Sequence, residues 1–258
     1  MKTDERQEIL NLLDLERQTV LYPGVTRFAD GEVVRDVSAD GESGEIVYSS
    51  CAESEVDRVI EHQVQTARSE RYELEWKVYE HDRPRCLAQR LAAAGFEAGA
   101  KEAFLVFCAG NEALNRFGVC HGDIRRVTSR EGLRDYQVVR EEVCGRSCEN
   151  EITRYGFMLE NHPNNMSVYV AYVGGEPAAC GRIYFHQSSR FAGLYGGNTR
   201  ERFRRRGLFT QVVAVRIREA LDRGVANVCV DALPTSEPIL RKHGFESVTH
   251  TQPFCFFG

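Results

Sequence analysis

The stretch Arg204-Arg205-Arg206-Gly207-Leu208-Phe209 decides how the fold of this chain is interpreted. Residues 191–198, just before it, end in glycines and predict a strand. After it, apolar residues recur at the spacing of an amphipathic helix. These positions are Leu208, Phe209, Val212, Val213, Val215, Ile217 and Leu221. A basic turn that contains glycine therefore joins a strand to the start of a helix.

This turn has the physical features of a phosphate-binding site. The first turn of a helix carries unpaired N–H groups and the positive end of the helix dipole. The neighbouring arginines add formal positive charge, and Gly207 leaves the backbone open to close approach by an anion. The stretch lacks the glycine pattern of a P-loop and of a dinucleotide fingerprint. We therefore predict a site for a phosphate or pyrophosphate of another kind.

The segments that follow the helix form a second recognisable pattern. Residues 225–231 alternate like a buried strand, and residues 234–243 predict a short helix that Gly244 closes. Residues 254–257 predict a final strand. The strand, the short helix with its Gly-Phe ending and the last strand occur in this order after the basic turn.

Together, the turn and this ending resemble the GNAT superfamily of acetyl-CoA-dependent acyltransferases over residues 121–258. The family pattern of the turn is [R/Q]-x-x-G-x-[G/A]. Arg204 and Gly207 match it, whereas Phe209 departs from the final small residue. The resemblance implies an α/β fold in which helices flank a mixed, mostly antiparallel, twisted sheet. It also implies acetyl-CoA as co-substrate, and we expect no metal.

The resemblance assigns roles to residues around the turn. It implies that the end of the preceding strand lies beside the pantetheine arm and that the turn surrounds the pyrophosphate. It puts Ser236, at the head of the next helix, near the thioester. The implied cofactor-binding residues are Gly197, Asn198, Thr199, Arg204, Arg205, Arg206, Gly207, Leu208, Phe209, Thr210 and Ser236.

The catalytic residues common in the family are absent from their usual positions. Leu240 stands where a tyrosine acid is frequent, and Gly193 stands near the position of a glutamate base. Tyr195 lies two residues from Gly193 and therefore on the same face of the strand. Tyr195 and Ser236 are the candidate catalytic residues, and positioning with deprotonation through water is an alternative.

The first half of the chain repeats the second in outline. A helix from Val56, a strand over 72–79, a helix over 84–94, the pair Gly95-Phe96 and a strand over 103–107 follow in the same order. We predict two tandem GNAT-like domains, residues 1–120 and 121–258. The first lacks the basic turn, so we expect it to be a degenerate copy without cofactor.

Several local expectations accompany this plan. Residues 30–44 are polar and contain glycine, which favours a surface loop. Residues 145–165 favour a looser region between a helix near 130–143 and a hairpin. The hairpin is predicted from residues 167–185, with Gly174-Gly175 as its turn.

The composition limits the classes of binding partner that we expect for this chain. The chain has 258 residues, 42% of them hydrophobic, and a net charge of -5. The negative charge gives no general attraction to nucleic acid or to an anionic membrane. No apolar run reaches the ~18 residues of a membrane span, and we expect a cytoplasmic monomer or homodimer. The expected acceptor is an amine on a small molecule or a peptide.

Nine cysteines are scattered along the chain without a Cys-x-x-Cys pair. The residue types of a zinc site occur at Cys144, Cys148, His162 and the pair Cys120-His121. Their spacings fit no standard pattern of zinc ligands, which argues against such a site. Cys180, Cys229 and Cys255 fall in apolar strand runs, so we expect reduced, buried thiols.

Two other functions are compatible with the sequence. The missing tyrosine and glutamate favour a non-catalytic acyl-CoA-binding module. The five arginines between residues 200 and 206 form a local basic patch that would suit nucleic acid. The acidity of the whole chain and the family role of the turn argue against the second alternative.

Overall fold

The structure is a computed structural model that describes residues 2–108, 111–118 and 122–257. Its helices are α1 (Thr3–Thr19), α2 (Val56–Glu70), α3 (Leu87–Ala93), α4 (Asn111–Leu114), α5 (Leu133–Cys144), α6 (Glu149–Asn161), α7 (Leu208–Asp222) and α8 (Glu237–Lys242). Its strands are β1 (Val25–Ala29), β2 (Val33–Ser38), β3 (Ser43–Ser49), β4 (Glu73–Tyr79), β5 (Glu97–Ala98), β6 (Glu102–Cys108), β7 (Asp123–Val127), β8 (Met166–Val173), β9 (Glu176–Tyr184), β10 (Phe191–Thr199), β11 (Asn227–Ala232) and β12 (Glu246–Phe256).

The chain forms two compact units that are discontinuous in sequence. Unit 1 comprises the residues up to Phe104, Ala232–Thr235 and the residues from Ser247 onward. Unit 2 comprises Leu105–Asp231 and Ser236–Glu246. The last strand, β12, thus belongs almost entirely to unit 1 although it follows the elements of unit 2. The predicted boundary at residues 120 and 121 lies outside the described residues and stays a prediction.

In unit 1 the strand order is β1-β2-β3-β4-β12. Its one parallel pair among these strands is β3 with β4. The apolar stripe of α2 covers the sheet: Ile60 of the helix packs in one core with Ile46 and Trp76 of the sheet, and all three are fully buried. Burial of such large apolar side chains stabilises the unit by about 1.5–3 kcal/mol each.

The predicted surface loop over residues 30–44 is wrong, because β2 lies there. Val33, Val34 and Val37 are buried, and so are the charged residues Arg35 and Asp36. Asp36 forms a two-bonded ion pair with an arginine of β1, at 2.7 Å for each bond. Charged residues inside the strand hid its apolar alternation from sequence analysis.

In unit 2 the strand order is β6-β11-β10-β9-β8-β7. The strands from β7 to β10 are antiparallel, and β10 pairs with β11 in parallel. The hairpin of β8 and β9 is confirmed, with Gly174 and Gly175 at φ values of 60° and 84°. Those positive angles suit glycine in a two-residue turn. Helices flank these mostly antiparallel strands, which confirms the predicted fold class.

The predicted looser region over residues 145–165 contains a helix, α6. Tyr155 and Met158 are buried against the same core as Tyr136 and Val139 of α5. Ile152, Tyr155 and Leu159 already follow helical spacing in the sequence, so this signal was available.

Among the helices in the described part of the chain, none is both long and apolar enough to cross a bilayer.

Candidate active site

The site is built around the separation of β10 from β11. Parallel pairing joins only Phe191, Ala192 and Gly193 to the first three residues of β11. From Leu194 onward β10 pairs only with β9 on its other side among the described residues. One edge of β10 is therefore without a strand partner over its second half. Such an edge offers backbone N–H and C=O groups to a ligand.

The second half of β10 is irregular at its glycine pair. The pairing with β9 shifts between Tyr195 and Asn198, so that Gly196 and Gly197 form a bulge. Gly196 has a φ of 58°, and its carbonyl accepts a hydrogen bond of 2.8 Å from the Asn198 amide. The bulge redirects the strand toward the basic turn.

The basic turn ends in a helix start without a side-chain cap. Arg205 and Gly207 both have positive φ, at 62° and 76°. A Cβ at Gly207 would meet only the Gln211 side chain, at 3.7 Å. Conformation rather than lack of space therefore favours glycine at the helix start. The uncapped first turn of α7 leaves its amide groups available to an anion.

The five arginines of this region divide into two groups. Arg200 bonds Glu142 at 2.6 Å, and Arg202 bonds Glu176 at 2.5 Å. Within the described part of the chain, the other three arginines have no acidic partner within 4 Å, and all three are exposed. They are Arg204, Arg205 and Arg206. The positive charge of the turn is therefore concentrated at the helix start.

Phe209, which replaces the small residue of the family pattern, is accommodated by Gly197. A Cβ at Gly197 would lie 2.8 Å from the Phe209 ring. The glycine on β10 therefore makes room for the large side chain on α7. Sequence analysis noted both residues but not that they touch.

The sequence profile of the Acetyltransferase (GNAT) family matches residues 132–245. Residues 132–245 belong to the GNAT acetyltransferase family. The matched range includes the separated strands, the basic turn and α7. The matched range is thus an acetyltransferase domain by family. No curated protein matches the sequence.

Solved structures share the fold of the entire chain. A GCN5-related N-acetyltransferase from Kribbella flavida aligns with a TM-score of 0.71 and 17% identity, over 100% of this chain and 97% of that one. A tandem GNAT protein from the clavulanic acid biosynthesis pathway aligns with a TM-score of 0.64 and 12% identity, over 99% of this chain and 95% of that one. A functionally unknown conserved protein from Staphylococcus epidermidis aligns with a TM-score of 0.68 and 15% identity, over 91% of this chain and 95% of that one. At these identities the likeness concerns the fold, and it confirms the tandem GNAT architecture.

Tyr195, a predicted catalytic residue of the GNAT domain, is 44% exposed on β10. Its ring lies over Gly193, because a Cβ there would be 2.8 Å from the ring. The ring also meets Tyr184 edge-to-face at 5.4 Å. Tyr195 therefore stands where β10 leaves β11, and its catalytic role stays a prediction.

Ser236, the second predicted catalytic residue, is half-buried at the start of α8. Its hydroxyl does not cap that helix. Leu240, in place of the tyrosine common in the family, is 2% exposed and packs in the interior. The role of Ser236 also stays a prediction.

Arg182 of β9 lies beside the candidate residue Tyr195, and sequence analysis missed it. Its guanidinium lies 4.5 Å from the centre of the Tyr155 ring and 5.8 Å from those of Tyr184 and Tyr195. It donates a hydrogen bond of 2.7 Å to the Tyr136 hydroxyl. Burial raises the pKa of Tyr155 to about 12, so this phenol is neutral at pH 7. No local sequence pattern unites these five residues.

Arg216 of α7 is a second missed residue, and it is 1% exposed. It donates to the carbonyls of Val212, Arg182 and Tyr195, at 2.9, 2.9 and 3.3 Å. Burial lowers the pKa of Arg216 to about 10. Because its bonds reach both β9 and β10, Arg216 supports the strands beside the bulge.

Eight of the nine cysteines lie in the described part of the chain. None of the eight described cysteines forms a disulfide; Cys180 is buried, whereas Cys229 and Cys255 are half-buried. Cys144 is exposed and Cys148 is buried. Residues 120 and 121 lie outside the described part of the chain.

Proposed function

We propose that this GNAT protein transfers the acetyl group of acetyl-CoA to a primary amine. The observation that carries the proposal is the course of β10, which leaves β11 after Gly193 and runs to a basic turn and an uncapped helix. An unpaired strand edge suits the amide groups of a pantetheine arm. Three arginines without acidic partners, with the amides of a helix start, suit a pyrophosphate.

The proposed roles of the turn residues follow from their surroundings. Arg204, Arg205 and Arg206 would neutralise the phosphates, and the backbone of residues 207–210 would donate to their oxygens. Gly197, Asn198 and Thr199 would border the pantetheine. Leu208 is buried and anchors α7, so its contribution to the cofactor would come from its backbone.

The chemistry requires a neutral amine near the thioester. The amine nitrogen bonds to the carbonyl carbon, the C–S bond breaks, the amine loses a proton and the thiolate gains one. The Tyr195 hydroxyl is the first candidate for a proton-transfer group because it is exposed at the separation of the strands. Ser236 is the second candidate, and water near a well-positioned amine is the third.

Non-catalytic binding of acyl-CoA is the second candidate function. It is favoured by Leu240, which is buried and has no proton to donate, and by Gly193, which has no side chain. It makes the same prediction for CoA binding and a different one for turnover.

The test is calorimetric titration of acetyl-CoA and of CoA into the protein, followed by a thiol-release assay with a panel of primary amines. We expect one acetyl-CoA site per chain and release of CoA with at least one amine. Absence of binding would contradict both candidates. Binding without amine-dependent thiol release across the panel would favour the non-catalytic module.

A further inference from the structure

The cluster of Arg182 with four tyrosines points to a chemical class of acceptor. The cluster consists of Arg182, Tyr136, Tyr155, Tyr184 and Tyr195, and we call it the tyrosine cluster. Register puts Arg182 directly opposite Tyr195, and Tyr184 opposite Gly193. Residues directly opposite each other on paired strands project from the same face. The β9 and β10 members therefore share one face of the sheet.

The guanidinium of Arg182 uses only part of its donor capacity. Nη1 donates to the Tyr136 hydroxyl. Nε is buried without a hydrogen-bond partner. No carboxylate lies within 4 Å of Arg182 in the described part of the chain. A mostly buried cation with an unmet N–H group is costly unless an anion completes it.

Glu151, whose pKa the charge of Arg182 helps to lower, is already bonded to other groups. Glu151 receives hydrogen bonds from Arg140 at 3.0 Å and from the Tyr155 hydroxyl at 3.2 Å. Arg146 lies 3.4 Å from its other oxygen. Two other arginines therefore use Glu151, and it makes no ion pair with Arg182.

The tyrosine cluster lies where an acceptor is needed. Gly193 is the last residue of β10 that pairs with β11, and the Tyr195 ring lies over it. Tyr195 is also the most exposed wall of the cluster. The centre of the exposed Tyr195 ring lies 5.8 Å from the Arg182 guanidinium, so a ligand that contacts this ring from solvent comes close to that cation.

We propose that the amine acceptor also carries a carboxylate, which binds the Nε and Nη2 edge of Arg182 within the tyrosine cluster. That edge is a planar pair of donors, and a carboxylate matches it with two parallel hydrogen bonds. A single cation suits a monoanion, in contrast to the three arginines at the phosphate turn. This inference rests on the proposed transferase function.

The test compares amines with and without the carboxylate, and each ratio in a variant is referred to the wild-type ratio, because the amide also has a less basic amine. The probes are the proteinogenic amino acids and their carboxamides, assayed for thiol release at saturating acetyl-CoA. We expect at least one amino acid to exceed its amide in kcat/KM by about tenfold or more. In Arg182→Met the ratio should fall about tenfold below its wild-type value. Arg182→Lys keeps the cation without the planar fork and should give an intermediate ratio.

A second measurement does not depend on turnover. The dissociation constants of phenylalanine and phenylalaninamide are determined on CoA-saturated protein by titration calorimetry. We expect tighter binding of the carboxylate in the wild type and loss of that difference in Arg182→Met. Unchanged affinity for acetyl-CoA in both Arg182 variants shows that they are folded.

The outcomes separate the two proposals. Amides that match or exceed their amino acids in both assays would overturn the carboxylate proposal and leave the transferase function intact. A carboxylate preference that survives in Arg182→Met or is undiminished in Arg182→Lys would overturn the role of the fork. Carboxylate binding that depends on Arg182, without thiol release for any amine, would support the site and count against the transferase function.

Discussion

The two units treat the gap between their parallel strands differently. In unit 2, β10 leaves β11 after Gly193, and no other strand of the described residues takes the place of β11. In unit 1, β3 pairs with β4 as far as Ile46 and then separates from it. There the side chain of Arg17, from α1, donates to the Val47 carbonyl at 2.7 Å. The same guanidinium forms two hydrogen bonds with Asp82, at 2.8 and 2.9 Å.

Further side-chain contacts occupy the space between the separated strands β3 and β4 in unit 1. The Arg17 guanidinium lies over the Tyr79 ring at 4.0 Å. The Trp76 indole donates to the Ser49 hydroxyl at 3.2 Å. Burial alone would lower the pKa of Arg17, but the hydrogen bonds and the charge of Asp82 outweigh it and raise that pKa. A strand separation common to both halves is therefore occupied by protein side chains in one and bordered by a basic turn in the other.

The largest expected effect is on acetyl-CoA affinity, which tests whether the basic turn distinguishes unit 2 from unit 1. Arg204→Glu with Arg206→Glu replaces two phosphate partners by repulsive charges. At about 1.5–3 kcal/mol per charged hydrogen bond, we expect acetyl-CoA affinity to fall at least 100-fold. Calorimetry measures the change. Arg202→Glu is the matched control, since Arg202 is paired with Glu176, and should have a far smaller effect; equal losses would contradict the assignment of the turn.

The next effect concerns the filled gap of unit 1. Arg17→Met leaves the Asp82 carboxylate buried without its cation, so we expect a loss of about 3–5 kcal/mol in unfolding free energy. Denaturant unfolding measures it, and Arg17→Met with Asp82→Asn should recover part of the loss. Acetyl-CoA stoichiometry should stay at one, because unit 1 has no basic turn. A second site in the variant would show that Arg17 alone closes unit 1 to cofactor.

A smaller effect is expected where Gly197 faces Phe209. Gly197→Ala puts a methyl group 2.8 Å from the ring, so we expect a loss of about 1–3 kcal/mol in stability. Phe209→Ala should remove most of that penalty in the double variant. The double-mutant cycle should give a coupling of about 0.5–3 kcal/mol. Additive effects would show that the two positions do not depend on each other.

The smallest effect is a pH dependence in unit 1. Burial raises the pKa of Asp14, but its bonds and charge interactions with His81 and Arg17 outweigh burial, so the net pKa lies below its ordinary value. A lowered folded pKa adds stability above the unfolded pKa, and this stability is lost as pH falls through the folded pKa.

For Asp14→Asn we therefore expect a Tm about 1–3 °C below wild type at pH 7. That difference should shrink as pH falls below about 4. Thermal unfolding across this range measures it. Glu8→Gln, an exposed change on the same helix, is the control and should show no such trend. A difference independent of pH would contradict the role of the Asp14 charge.

Local sequence signals predicted much of unit 2. The glycine turn of the hairpin, the helical spacing after Gly207 and the Gly-Phe ending each lie within a few residues of what they specify. The strand β2 was missed because Arg35 and Asp36 are buried within it and resemble surface residues in the sequence. Charged residues are exposed in most proteins, so a sequence pattern assigns them to the surface. Charged residues that are paired can be buried, and Arg35 and Asp36 are such an exception.

The sequence by itself determined the basic turn and the helix that it opens, because these depend on neighbouring residues. The recurring order of such local elements in the two halves determined the tandem GNAT plan. Only the tertiary structure decided that Arg17 meets Asp82 across 65 positions and fills the gap of unit 1. It likewise brought Tyr136 and Tyr155 from two helices around Arg182 of β9. Such contacts join residues distant in the chain, so no local pattern specifies them, and folding must position both partners before either has its chemical environment.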